Sequence, residues 1–239
     1  MTYANDHAQF DLTDRADGKP RIALMGEFSA GKSTLCNLIL GEAVLPTKVT
    51  ATRLPPVWVA KGDAAPIMVD HVGDVHEIDL DDLGRVRADE TRYIKIHKSV
   101  DLLDMCDLID MPGISDPNMS SLAWDEVLAE VDAVIWCTHA TQAWRQSEAA
   151  AWEHLPEAVR ERSLLLLTRF DKLTSDKDRQ RVLQRVTLET DGRFRGIYPI
   201  SLLAAMAAGD DADGLRDAGA EEFARGIVDL LGELGSLDR

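Results

Sequence analysis

The chain of 239 residues carries 42 acidic and 26 basic side chains, a formal net charge of −16, and is 45% hydrophobic. This length and apolar content bury one substantial core and require no second domain, while the negative charge disfavours direct binding of nucleic acid or of an anionic membrane surface. No segment reaches the roughly 20 apolar residues that cross a bilayer, so any membrane contact is expected to be indirect, and the three cysteines, with no C-x-x-C pair, read as buried thiols of a cytoplasmic protein.

In chain order, residues 1–20 form a polar, acidic arm with neither the basic nor the apolar part of an export signal, and residues 21–239 read as one α/β domain. The apolar run Ile22 to Met25 marks a strand at 21–25, and Leu35, Leu38 and Ile39 share one face of a helix at 32–40. Between them Gly26-Glu27-Phe28-Ser29-Ala30-Gly31-Lys32-Ser33, followed by Thr34, is a complete G-x-x-x-x-G-K-[ST] phosphate loop. Successive backbone N–H groups of such a loop and the N-terminus of the helix after it form an anion nest. Lys32 is expected to reach the β- and γ-phosphates of a nucleoside triphosphate, and the Ser33 hydroxyl to ligate Mg²⁺.

Strands follow at 56–60, 66–71 and 92–97, more chain than a minimal nucleotide-binding core needs, which predicts an extended antiparallel edge. A strand at 104–110 ends in Asp110-Met111-Pro112-Gly113. In this D-x-x-G arrangement the Asp holds Mg²⁺ through water and the Gly N–H bonds the γ-phosphate. A helix is expected at 120–130, a strand at 132–138 and a helix at 142–154, flanked by His139 and His154 in structural roles.

The apolar strand 163–168 runs into Thr168-Arg169-Phe170-Asp171-Lys172, similar to the guanine-reading N/T-K-x-D element of GTPases. A buried carboxylate at Asp171 accepts from both guanine N1–H and the exocyclic amine, a donor pair adenine lacks, so GTP and GDP are selected over ATP. Arg169 can lie over the purine face; the bland alternative for Asp171 is a helix N-cap. A helix at 176–190 and a strand at 196–200 come next, then a flexible-looking stretch at 207–219. A last helix at 219–234 carries the stripe Phe223, Ile227, Leu230, Leu231 and Leu234. The acidic concentrations at Asp70 to Glu90 and Asp210 to Glu222 read as solvated faces.

Taken in order, GEFSAGKST at 26–34, Leu45-Pro46-Thr47 with Ala51-Thr52-Arg53-Leu54-Pro55, Asp110 to Gly113 and Thr168 to Asp171 resemble the GTPase domain of the dynamin superfamily, most closely its bacterial members. The likeness spans about Arg21 to Ser201. It implies a P-loop GTPase fold, a mostly parallel doubly wound sheet with helices on both faces, and hydrolysis of GTP to GDP and phosphate as a nucleotide-dependent switch. It also implies that Thr52, with Thr50 a close competitor, is the switch I threonine holding Mg²⁺ and the attacking water. Ser29 matches the loop serine that helps bind a monovalent cation, Na⁺ or K⁺, and Ser201 falls where a loop closes over the base.

The chain departs from the animal dynamin pattern at Phe28, where a Gln helps position water, and in the expected lack of a helical stalk, with only a loop and one helix foreseen after Ser201. Ras-like enzymes place a Gln immediately after D-x-x-G, and here that residue is Ile114; Arg53 reads as a solvated switch residue rather than an arginine finger. Slow intrinsic turnover is therefore expected, stimulated by a GTP-dependent homodimer or by a larger dynamin-like partner chain. A GTP-binding scaffold with negligible hydrolysis is the alternative. A GTPase of ribosome or RNA assembly is a weaker one, since a basic appendage is lacking.

Overall fold

The structure is a computed structural model that describes residues 18–47, 54–116 and 121–237. Its strands are β1 (Arg21–Gly26), β2 (Val57–Lys61), β3 (Ile67–Asp70), β4 (Val75–Glu77), β5 (Thr91–Lys98), β6 (Asp107–Asp110), β7 (Ala133–His139), β8 (Leu164–Thr168) and β9 (Gly196–Pro199). The helices are α1 (Lys32–Leu40), α2 (Ser121–Leu128), α3 (Gln146–Glu153), α4 (Glu157–Arg160), α5 (Asp176–Thr190), α6 (Leu202–Ala208), α7 (Ala212–Asp217) and α8 (Ala220–Leu237).

The strands form one sheet in the order β4-β3-β5-β2-β6-β1-β7-β8-β9. From β6 to β9 every pairing is parallel, as the alternation of apolar strands and helices predicts. Strand residues divide by parity between two apolar layers. Ile22, Leu24, Leu164 and Leu166 face a layer shared with α1 and α8, whereas Ala23, Met25, Leu165 and Leu167 face one that holds Trp136, Trp152 and Phe194. Burial on both faces is why these strands read as unbroken apolar runs. The C-terminal stripe is inside as expected, with Phe223, Ile227, Leu230, Leu231 and Leu234 all buried.

The foreseen antiparallel edge is present with two amendments. β2 is antiparallel to β6, and β3 to β5 and β4, but β2 and β5 run parallel. β4 escaped the sequence reading because all three of its residues are exposed and show no alternation. The strand expected at 104–110 starts only at Asp107, after a 3₁₀ turn over Asp101–Asp104 that buries Leu103. The helix expected at 142–154 starts at Gln146, because Trp144 adopts a left-handed φ of 58° and enters an edge-to-face cluster with Trp136, Trp152 and Phe194.

The expectation of a flexible 207–219 and a single helix after Ser201 is corrected. α6 and α7 occupy much of that stretch, Asp211 caps α7 by accepting from the Asp213 and Gly214 amides, and Leu202, Ala205 and Ala218 are buried. Segments of seven and six residues are too short to show a helical period, and α6 has no polar residue to mark a face. Cys36, Cys106 and Cys137 are buried free thiols, and burial pushes Cys106 and Cys137 up to about 12. Among the described residues no helix is long and apolar enough to cross a membrane.

Candidate functional site

The carboxyl ends of β1, β6 and β8 open on one cleft of about 360 Å³ lined by residues of all three expected motifs, Lys32, Ser33, Asp110, Gly113, Thr168 and Asp171 among them. In open parallel sheets this is the side on which ligands bind.

β1 ends at Gly26, whose φ is 135° and where a Cβ would sit 2.0 Å from the Cys137 carbonyl, so only glycine lets the loop leave the sheet here. The loop folds on itself through the Ala30 amide, which donates to the Glu27 carbonyl at 3.1 Å. Lys32 is only 7% exposed. Its ammonium donates to the Gly26 carbonyl at 3.1 Å and the Glu27 carbonyl at 2.9 Å, leaving one N–H for an anion. Burial lowers its pKa, against the charge of Asp110 nearby. A phosphate in the cleft would favour the charged form further.

The Ser33 hydroxyl donates to Asp110 Oδ2 at 2.7 Å, while Oδ1 of the same carboxylate is buried without a hydrogen-bond partner. Desolvation raises the Asp110 carboxyl to about 6, against the pull of Lys32 and the Ser33 hydrogen bond. Among the described residues no cluster of three His, Cys, Asp or Glu could cage a metal. A hydroxyl and one carboxylate, completed by phosphate and water oxygens, are the donors Mg²⁺ takes in nucleotide sites, and the unpartnered Oδ1 fits that use.

Gly113 is buried against the phosphate loop, where a Cβ would come within 2.9 Å of the Phe28 nitrogen. The next residue, Ile114, donates its amide to the Gly26 carbonyl at 3.2 Å and packs its side chain on the apolar layer that holds Trp136. Phe28 is 51% exposed at the cleft. Ser29, with φ of 60°, also lines the cleft and is exposed. Thr34 lines it on the first turn of α1.

At the base end, Thr168 is fully buried and its Oγ1 lies 2.7 Å from the Ala30 carbonyl and 3.2 Å from the Thr138 carbonyl, sharing one proton between them. It therefore holds the phosphate loop against β7 and β8. Arg169 has a left-handed φ of 53° and donates to the Ser29 carbonyl at 3.1 Å. Asp171 corrects the expectation of a buried carboxylate: its side chain is 47% exposed and lies 3.5 Å from the Lys172 ammonium. It lines the cleft, so its desolvation would come with the ligand rather than precede it.

Ser201 is not among the lining residues; its neighbours Leu202 and Leu203 are. Its amide donates to the Ala218 carbonyl at 2.9 Å, and the Ile200 carbonyl accepts from the Phe170 amide at 3.2 Å. A buried and an exposed leucine after a strand, Leu202 and Leu203, carry no motif that would mark them in the sequence. Thr50, Thr52 and Arg53 lie outside the described residues, while Pro46, Thr47, Leu54 and Pro55 on either side line the cleft. His139 accepts from Thr141, and His154 Nδ1 lies 2.7 Å from the Ala150 carbonyl, local contacts that fit structural roles.

The Dynamin family model matches residues 22–170. Dynamin-like protein 2 of Campylobacter jejuni is 26% identical over 182 residues, covering 74% of this chain and 30% of that protein. The isoniazid-induced protein IniC of Mycobacterium tuberculosis is 30% identical over 112 residues, covering 44% of this chain and 22% of that protein. A solved structure of an oligomerised bacterial dynamin pair, described as sensing and tethering membranes at long range, superposes with a TM-score of 0.73 at 19% identity, over 88% of this chain and 37% of that one. Era bound to a GTP analogue and a segment of 16S ribosomal RNA superposes with a TM-score of 0.52 at 18% identity, over 88% of this chain and 56% of that one; both likenesses are of fold alone. The chain thus spans about a third of the length of its dynamin relatives. With the family model covering more than half of the residues, the chain belongs to the dynamin family, whose GTPase domain binds and hydrolyses guanine nucleotide.

Proposed function

We propose that this chain is a cytoplasmic GTP-hydrolysing switch, with residues 21–239 forming the GTPase domain. The observation that carries the reading is the pairing of Ser33 and Asp110 at 2.7 Å beside buried Lys32, with Asp110 Oδ1 unpartnered. The amides from Gly26 to Thr34 would cradle the phosphates and Lys32 would bridge the outer two. Ser33 and Asp110 would hold Mg²⁺, which when bound neutralises phosphate oxygens. Asp171 would read the guanine N–H edge, with Lys172 beside it, and Arg169 would cover the ring. Gly113 would present its N–H to the γ-phosphate, and Thr52 would orient the attacking water. Chemistry of this kind is positioning and charge stabilisation.

Ile114 is committed to the apolar layer, so no side chain at that place positions water. Turnover would then rise when a second copy, or a larger dynamin-like chain, meets the nucleotide face and fixes switch I, with Ser29 helping to bind Na⁺ or K⁺. The oligomerised state of the bacterial dynamin pair supports this reading, as do the exposed Phe28 and Leu203 beside the cleft. The test is single-turnover GTP hydrolysis against protein concentration in sodium and in potassium buffers, with calorimetry for GTP, GDP and ATP. Equal affinity for GTP and ATP would overturn the nucleotide assignment. Turnover per molecule that stays flat over the micromolar range would overturn activation by self-association. The packing of Ile114 and the Phe28 side chain also favour a second reading, a GTP-binding interaction module with negligible hydrolysis, and the same titration separates the two.

A further inference from the structure

Glu27 places a carboxylate inside a loop built for anions, the wrong charge for the expected ligand. The structure shows where that charge is used. Oε2 accepts from the Ser115 hydroxyl at 2.5 Å and Oε1 from the Ser147 hydroxyl at 2.8 Å. Burial opposes ionisation, but these two bonds and the Arg145 charge outweigh it and hold the carboxyl below its usual value. Both oxygens are therefore engaged sideways, by two different elements.

Ser115 belongs to a turn closed by the Asp116 amide, which donates to the Gly113 carbonyl at 2.9 Å. That turn is tied to the phosphate loop at two points, by the Ile114 amide on the Gly26 carbonyl and by Ser115 on Glu27. Gly113 itself packs on the Phe28 backbone, so the turn can shift little without breaking one of the ties. Ser147 stands in the first turn of α3, next to Glu148, which is buried and accepts from Trp136 Nε1, Thr138 Oγ1 and the Arg145 amide. The Thr138 carbonyl in turn meets the Thr168 hydroxyl that holds the Ala30 carbonyl. The start of α3 is thus bonded to both ends of the loop, directly at Glu27 and through Glu148, Thr138 and Thr168 at Ala30.

Resting on the reading of the cleft as a GTPase site, we propose that Glu27 is a positioning residue: its carboxylate fixes the turn that carries the Gly113 N–H against the phosphate loop, and through Ser147 it ties that position to α3. A donor set in place before the γ-phosphate arrives needs no reorganisation during the reaction. GDP, which lacks the γ-phosphate, does not use that donor.

The test compares Glu27→Ala, Ser115→Ala, the double variant and Glu27→Gln by single-turnover hydrolysis at saturating GTP and by calorimetry with GDP. Each single alanine is expected to slow hydrolysis by about tenfold, a charge-assisted hydrogen bond's worth, with GDP affinity within about twofold of native. The double variant should be no slower than the slower single, because both remove the same contact. Glu27→Gln, whose amide can still pair with a serine hydroxyl, should recover most of the rate.

If the native chain turns over too slowly to time, the preference for a non-hydrolysable GTP analogue over GDP should fall by the same factor of about ten. Rates and preferences within about twofold of native overturn the inference, as do multiplicative losses in the double variant or a GDP affinity that drops as much as the rate. Should the Glu27 variants fail to fold, Ser115→Ala, at an exposed side chain, decides alone. Native protein without affinity for GDP would overturn the nucleotide reading itself, a result distinct from failure of the Glu27 contact.

Discussion

The two ends of the cleft are built differently. At the phosphate end Lys32, Asp110 and Thr168 are 7%, 6% and 0% exposed and already bonded to one another's surroundings, whereas at the base end Asp171 and Lys172 have side chains 47% and 64% exposed. The first end carries its desolvation cost in the empty protein, and the second defers it until a base covers it. Anion affinity would therefore be a property of the folded loop, and guanine selectivity a property of the complex.

The strongest way to break that contrast is Lys32→Ala. It should weaken GTP and GDP binding by about a hundredfold or more, since it removes a buried charge facing phosphate and leaves two loop carbonyls unpaired; calorimetry that finds native affinity would show that this end does not hold the phosphates. Asp171→Asn should act in the opposite manner. Discrimination between GTP and ATP should fall by about a hundredfold, because a site that pairs a donor edge rejects what lacks it, while the melting temperature stays at the native value. A large loss of stability would show that the base end is prebuilt after all.

Asp110 sharpens the contrast through pH. Burial pushes its carboxyl up to about 6 in the folded chain against 3.8 for a free aspartate, so the folded state binds that proton more tightly. The resulting stabilisation is fully present below about 4 and is lost as pH rises through 6. Asp110→Asn should then make the nucleotide-free protein more stable than native at pH 7, by about 1–3 kcal/mol, with the advantage gone at pH 4, and should abolish Mg²⁺-dependent binding. Urea unfolding at the two pH values checks the sign. The smallest effect is expected from Thr168→Val, which deletes the shared hydroxyl but keeps the shape, at about 1 kcal/mol of stability and a modest loss of affinity for GTP and GDP alike.

The difference between the ends also explains what could be read from the chain alone. The phosphate loop, Asp110 and Gly113 are tied to fixed spacings after apolar strands buried on both faces, so position and environment came together. Asp171 shows the limit: T-R-x-D locates the side chain but not its exposure, which is set by tertiary packing around the loop after β8. The Glu27 contacts with Ser115 and Ser147 reach 88 and 120 residues along the chain, and no local pattern encodes such pairings. α6 and α7 are hidden for a local reason: at 7 and 6 residues they are no longer than about two turns, and α6 has no polar residue to mark a face.

The indole cluster around β7 and α3 gives the protein an internal optical gauge. Trp136, Trp144 and Trp152 lie with ring centroids 5.6 to 6.1 Å apart, close enough to exchange excitation, and the Trp136 N–H rests on the Glu148 carboxylate at the start of α3. Indole emission responds to the field of a nearby charge. A movement of α3 that follows the nucleotide should therefore appear as a change in the intensity and polarisation of the native fluorescence, readable without any attached dye.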